Sequence, residues 1–149
     1  MYNFLKNMNM EKIHRFCMKC AIASSEMSVA TRKRVGAVIA REGRILASGY
    51  NGQPRKLDNC CEYINPSTGE LTTKDTVVHA ELNAILFCAK YGLSTDGADL
   101  YITMCPCQKC ASAIIQAGIK HIYYMDEYRD MTAIEMLKSV GIEVERILL

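Results

Sequence analysis

Four residues of this chain have the types and spacings that metal-assisted hydrolysis uses. Cys107 and Cys110, in "PCQKC", lie three apart at the head of an expected helix, so both sulfurs can meet a single ion. A helix amino terminus favours negative charge and so supplies thiolate, the form that ligates metal. A CxxC pair by itself also serves redox chemistry. His79 is the candidate third ligand: it opens a second expected helix directly after the apolar "TVV", and neutral imidazole suits zinc. One histidine and two thiolates leave a tetrahedral zinc one position for water, whose pKa the ion lowers towards ~7. Cys105, just before Pro106, is the residue that would close that position and turn the site structural. Glu81 follows His79 by two positions, about 200° of helical rotation, so it is not a parallel ligand. It flanks the ion, where a carboxylate can take a proton from activated water and hand it to nitrogen. Taken singly, His79 is a surface histidine and Glu81 a first-turn acid; the downstream cysteines are what favour catalysis.

These groups need a scaffold, and the apolar periodicity predicts one. Residues 11–27 place Ile13, Phe16, Cys17, Cys20 and Ala21 at helical spacing. "VGAVIA" (35–40) and "RILASGY" (44–50) read as a hairpin turning at Gly43. Residues 51–77 carry Gly52, Pro54, Pro66 and Gly69 without a sustained period and read as a long functional loop. From 79 to 91 the apolar face is Leu82, Ile85, Leu86 and Ala89, with Gly92 as the cap. Strands follow at 98–104, 120–125 and 142–149, with helices between them, the first opening on Pro106 and closing on Gly118, the second spanning 131–140. The pattern predicts an α/β fold, a three-layer α/β/α sandwich around a mixed five-stranded sheet, in a single domain over 1–149.

Composition bounds the function. A net charge of +2 is too small for an extended nucleic-acid groove, so no nucleic-acid partner is expected. No apolar run reaches the ~18 residues of a membrane span, and "MYNFLKNMNMEK" lacks the regions of a secretory signal. The expectation is a cytoplasmic protein, or one of the host cytoplasm if viral, without a membrane partner. Its 8 cysteines then read as thiols or ligands rather than a disulfide scaffold. Cys17, Cys20 and Cys88 fit small hydrophobic positions, although His14, Cys17 and Cys20 also share a helix face as an alternative metal group.

Together, "HAE" and "PCQKC" match the H-x-E…P-C-x-x-C signature of zinc-dependent nucleobase deaminases. "RVGAVIA", "ILASGYNGQPR", "NCCE", "HAELNAI", "TMCPCQKCASAIIQAGIKHIYY" and "GIEV" extend the likeness, and the chain resembles the deoxycytidylate (dCMP) deaminases, especially compact viral or bacterial forms. The resemblance implies a cytidine-deaminase-like sandwich and hydrolysis of dCMP to dUMP and ammonia, supplying dUMP for thymidylate synthesis. It implies one Zn2+ held by His79, Cys107 and Cys110, with water activated there attacking C4 and Glu81 moving the protons. Arg32, Asn51, Ala80 and Tyr128 are the implied substrate contacts. Arg32 would take the phosphate with its guanidinium fork, and Tyr128 would add a hydroxyl. If the strand begins by Arg34, Arg32 lies on the same side and Lys33 opposite. Asn51 either bonds the sugar hydroxyl or is a turn asparagine before Gly52.

Members of this family are commonly homohexamers, activated by dCTP and inhibited by dTTP at a subunit interface. Gly52, Arg55, Asp58 and Glu62 are the implied effector contacts, with Mg2+ a possible companion of bound dCTP. Some phage members carry a second, structural zinc; Ala30 stands where one of its cysteines would be, so one zinc per chain is expected. Rival readings are a tRNA adenosine deaminase, a cytidine or guanine deaminase that needs no phosphate, and a zinc-stabilised interaction module without catalysis.

Overall fold

The structure is a computed structural model that describes residues 1–128 and 130–149, with the side chains of residues 2–6 not described. The elements in order are α1 (Tyr2–Ser25), β1 (Gly36–Arg41), β2 (Arg44–Tyr50), β3 (Glu62–Ile64), β4 (Leu71–Thr73), α2 (Ala80–Tyr91), β5 (Asp99–Met104), α3 (Gln108–Gln116), β6 (His121–Asp126), α4 (Thr132–Ser139) and β7 (Glu143–Arg146). The main sheet runs β2-β1-β5-β6-β7, and β3 pairs with β4 in a separate two-stranded ladder. Glu42 and Gly43, both with positive φ, make the tight turn that sets Arg41 opposite Arg44.

Both faces of the sheet are covered, which explains why its central strands read as nearly continuous apolar runs. Ala37 and Ile39 of β1, Leu100 and Ile102 of β5 and Ile122 of β6 pack with residues of α2, α3 and α4. The alternate residues Val38, Ala40 and Tyr101 pack against Cys17, Met18 and Ala21 of α1, with Tyr123 and Met125 alongside. Each fully buried Leu or Ile contributes about 1.5 to 3 kcal/mol, so this double burial is the main source of stability. The expected three-layer arrangement is therefore present.

Several local expectations are corrected. Phe16 is 52% exposed, and Met18 takes the buried place on α1. On α2 the buried residues are Ala80, Glu81, Ala84 and Cys88, whereas Leu86 is 49% exposed. Small side chains let this helix lie close to the sheet, so the face is chosen by size and not by hydrophobicity. Residues 51–77 are not wholly a loop, since β3 and β4 lie within them. Pro106 precedes the cap, Cys107, instead of opening α3.

Topology brings the chemistry to one end of the sheet. β5 and β6 are parallel, so the segments after Met104 and Asp126 leave the same edge. β1 is antiparallel to β5, and β2 to β1, so the residues before Gly36 and after Tyr50 reach that edge too. Ligand sites of open α/β sheets form outside such strand ends.

Candidate active site

His79 caps the amino end of α2 in extended conformation (φ −70°, ψ 156°), and Cys107 caps α3 in the same way (φ −81°, ψ 169°). The chain before His79 is held by a backbone bridge in which Gly52 and Val78 exchange hydrogen bonds of 3.1 and 2.9 Å. At the other end of that helix Gly92 adopts φ 67° and closes it, as the sequence predicts. Two helix starts thus aim their first side chains at one point.

The His79 Nδ1 atom lies 3.7 Å from Cys107 Sγ and 3.4 Å from Cys110 Sγ. Among the described residues these three form the group able to hold a metal ion, their ligand atoms all within 4.8 Å of one another. A tetrahedral zinc with bonds of about 2.0 to 2.3 Å places its ligands about 3.5 to 3.8 Å apart, so the donor set and spacing fit zinc. The Cys107 thiol is pushed down to about 3, first by its hydrogen bond with Cys110 and then by that with His79. Cys110 is pushed up, first by the same pairing with Cys107 and then by burial. His79 is raised, chiefly by its bond to Cys107.

Glu81 is 3% exposed, and burial raises its carboxyl above the ordinary range against the opposing pull of its own backbone N–H and the Cys110 thiol. It shares a cavity of about 290 Å³ with His79 and Cys107. Val35, Val77 and Ile102 supply apolar walls, while Arg32, Lys33 and Tyr128 line the cavity from exposed positions. Ala80, fully buried between His79 and Glu81, also lines it. Cys105 is not a fourth member of the ligand cluster; its sulfur accepts the Tyr128 backbone N–H at 2.9 Å, and its own N–H bonds Asp126.

Asn51 lines the same cavity, but its amide is already engaged. Oδ1 accepts the Val35 N–H at 2.8 Å and Nδ2 donates to the Lys33 carbonyl at 2.9 Å. That leaves one amide N–H free for a ligand. The strand begins at Gly36, so the alternation expected at 32–34 does not apply, and Arg32 and Lys33 both reach the cavity. Lys33 is paired with Asp126 at 2.9 Å, a partnership between residues far apart in sequence.

The four residues expected to bind effectors are divided. Gly52 is buried in its bridge with Val78, and Arg55 and Asp58 are exposed, Asp58 lying 3.9 Å from Lys74. Glu62 is buried and lines the cavity with Glu81. Thr73 of β4 lines it too, and the sequence reading missed it because its three-residue strand is too short for a periodic pattern. The β-branched pair Thr72 and Thr73, shortly after Gly69, is the signal that was available.

Fold and site together are those of the hydrolytic deaminases. The chain belongs to the cytidine and deoxycytidylate deaminase family, whose zinc-binding region matches residues 10–126. A crystal structure of the dCMP deaminase of cyanophage S-TIM5, in complex with dCMP and dUMP, superposes with a TM-score of 0.84 at 41% identity, covering 91% of this chain and 97% of that one. The deoxycytidylate deaminase of Enterobacteria phage T4 is 33% identical over 166 residues, 85% of this chain and 86% of that protein. ComE operon protein 2 of Bacillus subtilis is 41% identical over 124 residues; the match takes in 80% of this chain and 63% of that protein's length. No helix among the described residues is long and apolar enough to cross a membrane.

Proposed function

We propose that the protein hydrolyses dCMP to dUMP and ammonia within one catalytic domain, with His79, Cys107 and Cys110 holding one zinc ion and Glu81 carrying protons. The observation behind this reading is the buried Glu81 carboxylate beside a His/Cys/Cys cluster, in a cavity that also carries exposed Arg32, Lys33 and Tyr128. Zinc, when bound, supplies Lewis-acid activation of water. Glu81 accepts the proton that the attacking water loses and delivers it to N3 of the cytosine; it then takes the second proton, from the new hydroxyl on C4, and gives it to the amine, which leaves as ammonia when the C4–N bond breaks. Val35, Val77 and Ile102 flank a flat base and exclude bulk water, and the free N–H of Asn51 reaches a sugar hydroxyl. Arg32 and Lys33 attract the phosphate, with the Tyr128 hydroxyl beside them.

Family likeness extends the reading to regulation: dCTP, with Mg2+, as activator and dTTP as inhibitor of a homohexamer, contacting Gly52, Arg55 and Asp58. Glu62, taken into the cavity, belongs to the substrate side. Ammonia release from dCMP, dCTP, deoxycytidine and adenosine-bearing RNA, each with and without added dCTP, tests both parts. Turnover of dCMP far above deoxycytidine is expected. Equal turnover of those two refutes the phosphate contacts, and saturation curves indifferent to dCTP and dTTP refute the regulation.

A further inference from the structure

The hairpin formed by β3 and β4 has no counterpart in the sequence reading, and its two strands converge on one residue. Glu62 and Thr73 are direct partners in the ladder. From one side, Glu62 Oε1 accepts the backbone N–H groups of Thr31 at 2.9 Å and Arg32 at 3.2 Å. From the other, Thr73 Oγ1 accepts a hydrogen bond from Arg32 Nη1 at 3.0 Å. Arg32, Glu62 and Thr73 line the cavity that holds His79 and Glu81.

We infer that Glu62 and Thr73 are positioning residues that set Arg32 for an anionic group on the substrate, one fixing its backbone and the other its guanidinium. A buried carboxylate must be satisfied, and charge-assisted bonds from two successive N–H groups both satisfy it and lock the turn that carries Arg32. An arginine side chain otherwise surrenders much rotamer freedom on binding an anion. Thr73 removes part of that freedom beforehand while engaging a single nitrogen of the fork, so the rest of the fork stays available. Neither Glu62 nor Thr73 has to touch the substrate. This inference rests on the reading that Arg32 meets the phosphate of dCMP.

The test is steady-state kinetics of the zinc-loaded full chain on dCMP, for Arg32→Ala, Glu62→Ala, Glu62→Gln, Thr73→Val and Thr73→Ser, and for Arg32→Ala combined with Glu62→Ala or Thr73→Val. Loss of a hydrogen bond to a charged group predicts that Thr73→Val and Glu62→Ala raise KM by about tenfold, with a smaller change in kcat. Glu62→Gln and Thr73→Ser keep an acceptor oxygen and should recover most of the loss. In the Arg32→Ala background neither substitution should raise KM further. Thr73→Val keeps the shape of the side chain and carries the test if Glu62→Ala fails to fold. An Arg32→Ala enzyme with the parent's KM sinks the phosphate reading and this inference with it. A raised KM in Arg32→Ala, with Thr73→Val either silent or equally damaging in both backgrounds, overturns this inference alone.

Discussion

Gly49 of β2 lies so close to the first turn of α2 that a β-carbon on it would stand 2.3 Å from the carbonyl oxygen of Ala80 and 2.7 Å from the amide nitrogen of Ala84. The glycine therefore sets the depth of the helix whose start carries His79 and Glu81. Gly49→Ala must push α2 outward, and overpacking of this kind costs about 1 to 3 kcal/mol. A lower thermal midpoint together with reduced turnover is expected. A variant with the parent's midpoint and kcat would show that the helix start does not depend on this contact.

Glu81 and Cys107 should fail in different ways. Glu81→Gln keeps the ligand cluster, so metal analysis should still find about one zinc per chain while kcat falls by about 10²- to 10⁴-fold. Cys107→Ala removes a ligand, so zinc content and thermal stability should fall with activity. Zinc loss in the glutamine variant with retention in the alanine variant would reverse the assignment.

The Asn51 amide joins the Val35 N–H to the Lys33 carbonyl, and so shapes the turn that leads from Arg32 into β1. Asn51→Ala strands both backbone groups, at a cost of about 1 to 3 kcal/mol. Denaturant unfolding without substrate should show that loss. Unchanged stability, with an effect confined to KM, would make Asn51 purely a substrate contact.

On the opposite face of the sheet, His14 Nδ1 lies 2.8 Å from the Tyr101 hydroxyl, and its ring centroid is 4.3 Å from that of Tyr123. Burial lowers the His14 pKa below 6.5, outweighing Glu145 and Asp99, which raise it, while His121 lowers it further; Cys17 shares its helix. The unfolded chain then binds a proton at a higher pH than the folded one. Stability is full above 6.5 and declines as pH falls from there towards the folded-state value. Urea midpoints measured from about pH 7 down to about pH 5 should fall, and His14→Gln should flatten the decline. An equal slope in the variant would place the dependence elsewhere.

The pattern of residues alone pointed to the cluster of His79, Cys107 and Cys110 with Glu81 beside it, and determined the five main strands and the layered architecture. Each is written locally: ligand spacing within "HAE" and "PCQKC", and apolar runs bounded by turns. Tertiary structure decided the grip on Arg32, the inward turn of Glu62 and the engagement of Asn51, because their partners lie 16 to 41 positions away along the chain. It also decided which side of α2 is buried. Hydrophobic periodicity favours the larger Leu86, whereas close approach at Gly49 requires the small Ala80 and Ala84, and only assembled neighbours can impose that steric limit.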